Sequence, residues 1–194
     1  HELYRFVKLS NNRFIFVDVN HLFSWKGVFD STKLRSLEEI NNPIVTVSKC
    51  NVCLPVLNAY YQLLHLCIHF YNESMYFTLE QNYDGSDPYE LRLFRLYDIM
   101  LLIEKQQIDP KEFINYCNKF DAHNKVAYVF SILRYIFGNR KRIDCFGAYF
   151  KLCDLNQMNY YFTKDGRNIP WPICFQERLY NINCRSTQRG WLHY

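Results

Sequence analysis

Four residues in the stretch CNVCLPVLNAYYQLLHLCIH, positions 50 to 69, are of types that hold metal ions: Cys50, Cys53, His65 and His69. Two thiolates on a turn and two imidazoles one helical turn apart are the ligand set of a tetrahedral zinc finger. The mutual spacings within each pair fit. However, only eleven residues separate Cys53 from His65, where a finger has twelve. Losing one residue rotates a helix by about 100°, which turns the imidazoles away from the thiolates. The linker also contains Pro55 and a long apolar face that a free-standing finger would expose. The positions that would read DNA are Asn58, Tyr60 and Gln62 instead of a basic set. Zinc is therefore not expected here, and the histidines need another explanation.

On a helix, Gln62, His65, His69 and either Asn72 or Glu73 fall on one polar stripe between apolar neighbours. The plain reading is the wet face of an amphipathic helix. The sharper reading is that the stripe lines a cleft, where neutral imidazoles bind or orient an anion or a metal. Asp98 presents a similar choice. It interrupts the apolar run Leu-Tyr-Asp-Ile-Met-Leu-Leu-Ile, where an unpaired buried carboxylate costs several kcal/mol, so a partner is expected, either Arg95 or a histidine of the preceding helix.

The elements that must position these residues follow from local signals. Phe14 to Val19 is β-branched and aromatic and reads as a strand, and Ile44 to Val47 reads as a shorter extended run. Pro55 fits the first turn of a helix running to about Asn72. Asp87-Pro88-Tyr89-Glu90 and Asp109-Pro110-Lys111-Glu112 repeat one start signal: Asp at the N-cap, Pro at N1, and Glu at N3 reaching back to the cap. Helices are expected at about 88 to 105, at 110 to 119, from 122 to 137 before Gly138, and at about 143 to 155. The segment from Tyr160, with Pro170, Trp171 and Pro172, reads as irregular packing. The expected fold is α+β, mostly α: a short β portion over 1–48, a helical bundle over 49–142, and a final helix with an irregular end over 143–194.

About half of the 194 residues are apolar, which is enough for a core without covalent staples. The net charge of +4 is mild and the basic residues are spread out, apart from Arg140-Lys141-Arg142. Nucleic-acid binding is not indicated, and that run is expected to be a solvated segment after a helix end. The eight cysteines are irregularly spaced and several lie in apolar helical stretches, so a reducing cytoplasm is expected over a disulfide framework. No apolar run reaches membrane-spanning length. The chain starts at His1 with no initiator Met, and reads as a piece of a longer protein.

The pattern Leu-Leu-His-Leu-Cys-Ile-His-Phe-Tyr (63 to 71), then Leu-Arg-Leu-Phe-Arg-Leu-Tyr-Asp-Ile-Met-Leu-Leu-Ile (91 to 103), then Ile-Asp-Pro-Lys-Glu-Phe (108 to 113) and the helix to Phe137-Gly138 resembles the helical half of the uncharacterised bacterial nucleotidyltransferase-like family. The tail Trp-Pro-Ile-Cys-Phe-Gln-Glu-Arg-Leu-Tyr (171 to 180) resembles its C-terminal end. The resemblance implies a polymerase-β-like core with a Gly-Ser, an Asp-x-Asp pair and a third carboxylate. These would hold two Mg²⁺ ions against an NTP during transfer to an acceptor. In this chain Phe-Val-Asp-Val-Asn-His (16 to 21) resembles the strand of the third carboxylate, which places Asp18 as catalytic metal ligand. His65, His69, Arg92, Arg95 and Asp98 would then face the substrate. The chain contains no Asp-x-Asp, and its one Gly-Ser, Gly85-Ser86, lies between two helices. It is thus expected to be the C-terminal part of such a protein and inactive alone. The alternative from another class is a non-catalytic helical interaction domain with an aromatic surface for a protein partner.

Overall fold

A computed structural model describes residues 4–10, 13–19, 44–49, 52–75, 93–138, 140–162, 167–172 and 174–180. The architecture is α+β and mostly α: the described residues form three two-stranded antiparallel ribbons and six α-helices. The first ribbon joins β1 (Tyr4–Ser10) to β2 (Arg13–Val19), with Asp18 opposite Arg5 and Phe6 opposite Val17. The second joins β3 (Ile44–Lys49) to β4 (Val52–Leu57).

Pro55 lies in β4 opposite Thr46, not in the first turn of a helix. A two-stranded ribbon has open edges, where a residue without an N–H is tolerated. The helix instead starts after Asn58, whose side-chain oxygen accepts from the Tyr61 amide at 3.1 Å. This is an N-cap bond to N3, and it launches α1 (Ala59–Met75). The expected boundary at residue 48 thus falls inside a hairpin.

Helix α2 (Leu93–Lys105) buries Leu96, Ile99, Met100 and Ile103, the i, i+3, i+4, i+7 stripe of an amphipathic helix. The expected Asp87 start signal lies outside the described residues. Helix α3 (Pro110–Lys119) begins as its sequence requires, with the Asp109 carboxylate accepting from the Lys111 amide at 3.1 Å. Glu112 does not reach back to the cap directly. It accepts from the Tyr60 hydroxyl at 2.8 Å, and the Tyr60 oxygen accepts from the Asp109 amide at 3.2 Å. The capping box is closed through a tyrosine of α1, which ties the starts of the two helices together.

Helix α3 ends in a Schellman motif with Asp121 at φ 52, a left-handed position that usually falls to glycine. Its amide bonds to Asn118 and the Ala122 amide to Cys117. Helix α4 (His123–Phe137) follows, buried continuously from Lys125 to Leu133, and stops at Gly138 with φ 71. A Cβ at Gly138 would meet nothing within 4 Å, so the backbone angle alone explains this glycine.

Helix α5 (Lys141–Gly147) is shorter than the expected 143 to 155, because the chain turns at Tyr149 and re-caps at Asp154 to start a 3-10 turn at Leu155–Asn159. The terminal segment is more regular than expected. It forms the third ribbon, β5 (Tyr160–Phe162) with β6 (Asn168–Pro170), and then α6 (Phe175–Tyr180).

The core lies where α1 meets α2, α3 and α4, and where α4 meets α5. It is rich in aromatics: Phe130 stacks on Phe146 and Phe150, and Phe113 meets both edge-on. The basic run at 140–142 is solvated at Arg140 and Lys141, as expected, and departs from that at the half-buried Arg142. Arg140 pairs with Glu104 at 2.8 Å. The Arg142 guanidinium donates to the carbonyls of Ile103, at the end of α2, and of Gln106 and Ile108, in the connection that follows it, at 3.1–3.3 Å. Arg142→Met should therefore cost about 2 kcal/mol in a denaturant titration, whereas Lys141→Met, at an exposed position, should change stability by less than about 0.5 kcal/mol.

Candidate functional site

The residues proposed from sequence are distributed over three elements. Asp18 stands on β2, opposite Arg5 in the ribbon register. His65 and His69 stand one turn apart on α1, both half-buried, with nearly parallel rings whose centroids are 5.9 Å apart. Arg92 lies outside the described residues, as does Cys50. Arg95 is half-buried on α2, and burial lowers the pKa of its guanidinium. Asp98 is exposed, so its charge stays in water and the expected buried partner is not required. Its apolar neighbours in sequence do not enclose it, because a helix turns successive residues to different faces.

The stripe on α1 changes character along its length. Gln62 is exposed, the two histidines are half-buried, and Asn72 is buried at 3% exposure. The wet-face reading thus fits the start of α1 and fails at its end. There the Asn72 side-chain amide oxygen accepts from the ammonium of Lys125 on α4 at 3.4 Å. That ammonium also lies 5.6 Å from the centre of the Tyr71 ring, and Tyr71 meets Tyr128 edge-on. Sequence reasoning missed this group. Its one signal was a lysine opening the apolar run of α4.

Burial lowers the Lys125 pKa to about 8. Below that value the folded protein carries a poorly solvated cation. As pH rises from about 8 to 10.5, the folded state releases the proton while the unfolded chain still holds it, so this group's contribution to stability improves with pH. Lys125→Met should be no less stable than the parent at pH 7, and the parent should gain on the variant by ~2 kcal/mol between pH 8 and 10. Denaturation of both proteins across that range checks this. The difference between them isolates the lysine from Cys67, Cys117 and Cys153, whose thiols burial pushes up.

A second buried cation anchors the C-terminal helix. Arg178 of α6 is 2% exposed and donates to the carbonyl of Ser74 at 3.0 Å and of Met158 at 3.2 Å. Its guanidinium lies 3.7 Å from the centre of the Trp171 ring. Burial lowers its pKa to about 10, with Tyr128 opposing, so it remains a cation at neutral pH. The Tyr128 phenol in turn is pushed up by burial, against the pull of Ser74 and Arg178. Both buried cations are closed to solvent. Their geometry holds helices together and does not present a group to a substrate.

Among the described residues, no three His, Cys, Asp or Glu side chains gather into a metal-holding group. Cys53 is exposed, with its sulfur 3.1 Å from the Ser48 hydroxyl across the second ribbon. Asp18 alone does not make a two-metal site. No described helix is long and apolar enough to cross a membrane. Compared with models of known protein families, with curated proteins and with solved structures, the chain matches none significantly.

Proposed function

We propose that this chain is the C-terminal part of a nucleotidyltransferase-like protein that transfers a nucleotidyl group from an NTP to an acceptor. The reading rests on the residue pattern that resembles that family. One structural observation supports it, the order of the elements: a strand bearing Asp18 precedes a mainly helical bundle whose first helix carries the half-buried pair His65 and His69.

In the whole protein Asp18 would serve as the third carboxylate for Mg²⁺. His65, His69, Arg95 and Arg92 would contact phosphate or acceptor. The chain by itself lacks the Asp-x-Asp pair that such chemistry needs and carries out no transfer. The six free cysteines among the described residues support a reducing, cytoplasmic setting.

The test uses the full-length protein with Mg²⁺ and each α-labelled NTP. Asp18→Asn should lower transfer by about 100-fold or more, and His69→Ala should lower it measurably, with the melting temperature of both unchanged. Full transfer by both variants would contradict the assignment.

A further inference from the structure

We propose that the outer face of α2 docks a second copy of this chain, with the two α2 helices antiparallel. On this helix Phe94, Asp98, Leu101 and Lys105 follow at i, i+4, i+7 and i+11 along one seam opposite the buried stripe of Leu96, Ile99, Met100 and Ile103; Phe94, Asp98 and Lys105 are exposed, while Leu101 is half-buried and also packs against the core. The seam is apolar where it is most open. Phe94 is 57% exposed, and the adjacent Tyr97 and Leu93 are 48% and 37% exposed. Phe94 and Tyr97 are neighbours on the helix surface at i, i+3, and contiguous exposed apolar side chains are what protein–protein contacts use.

The charges on the seam indicate which partner fits. Asp98 lies on the N-terminal side of Leu101 and Lys105 on its C-terminal side, both exposed. In an antiparallel crossing centred near Leu101, the acid of one copy approaches the base of the other, and the contact is made twice about the two-fold axis. A patch that is its own complement is what an isologous dimer requires. The opposed helix dipoles favour the same orientation, whereas a parallel pairing would set like charges together. A single helix of 13 residues covers less than a standard interface, so the expected association is weak, with a Kd on the order of 10 µM.

Sedimentation velocity of the whole chain from about 1 to 100 µM tests this. A concentration-dependent monomer–dimer equilibrium is expected. Phe94→Ser should abolish it. Asp98→Lys and Lys105→Asp should each weaken it about tenfold or more, and the double exchange should restore it. The three substituted positions are exposed, so far-ultraviolet circular dichroism and melting should be unchanged. A monomer throughout the range, a dimer indifferent to Phe94→Ser, or a double exchange that fails to restore association would each overturn the proposal.

Discussion

Arg178→Ala should destabilise the fold by about 3 kcal/mol and lower its melting temperature by roughly 6–12 °C. The guanidinium is 2% exposed and bonds two buried carbonyls, one at the end of α1 and one in the 3-10 turn, while it stacks on Trp171. Removing it leaves both acceptors in a site that water does not reach, and an unmet buried acceptor costs about 1–3 kcal/mol. The lost cation–π contact adds to this, and relief of the buried charge's desolvation offsets part of it. Arg178→Lys should recover less than half, since an ammonium cannot both reach two carbonyls and lie flat on an indole. Equilibrium denaturation measures the loss. Amide exchange should show faster opening in α6 first, because Phe175 and Leu179 are that helix's other buried anchors.

Phe130→Ala should be the costliest single truncation of the core, about 4 kcal/mol. Phe130 is fully buried on α4 and packs against two near-parallel rings, Phe146 at 5.2 Å and Phe150 at 5.6 Å. No neighbour can collapse into the space without dismantling that stack, so both the transfer cost and the cavity cost apply. Phe94→Ala, at the most open aromatic position among the described residues, should change the stability of the monomer by less than about 0.5 kcal/mol. Paired denaturant titrations of the two variants would separate a true core from a merely aromatic surface. Equal losses would contradict the packing described here.

These two residues also mark what the sequence could and could not reveal. Local signals carried the strand at Phe14–Val19, the start of α3 at Asp109-Pro110 and the end of α4 at Gly138, because caps and turns are fixed by a few adjacent residues. Pro55 misled because a proline suits both a first helical turn and an open ribbon edge, and only the pairing with β3 decides between them. Asp98 misled because an apolar run was read without its helical turn, although the same periodicity correctly separates Leu96 and Ile99 from Phe94 and Tyr97.

The roles of Arg142, Arg178 and Lys125 were not legible. Their partners are the carbonyls of Ile103, Gln106, Ile108, Ser74 and Met158 and the amide oxygen of Asn72, most of them tens of residues away in sequence. A backbone carbonyl leaves no trace in residue type. Of the candidate site, the His65 and His69 pair on one face of α1 was legible from spacing alone, while the relayed cap of Glu112 through Tyr60 depended on the packing of α1 against α3.

The central claim is that Asp18 completes a carboxylate set begun elsewhere in a longer protein, and sequencing the coding DNA upstream of the codon for His1 tests it most directly. The account predicts an open frame encoding a strand, a Gly-Ser and, about ten residues on, an Asp-x-Asp pair, as two-metal nucleotidyl transfer requires. A start codon immediately before His1 would contradict it and leave a helical binding protein with the histidine pair on its partly wet face.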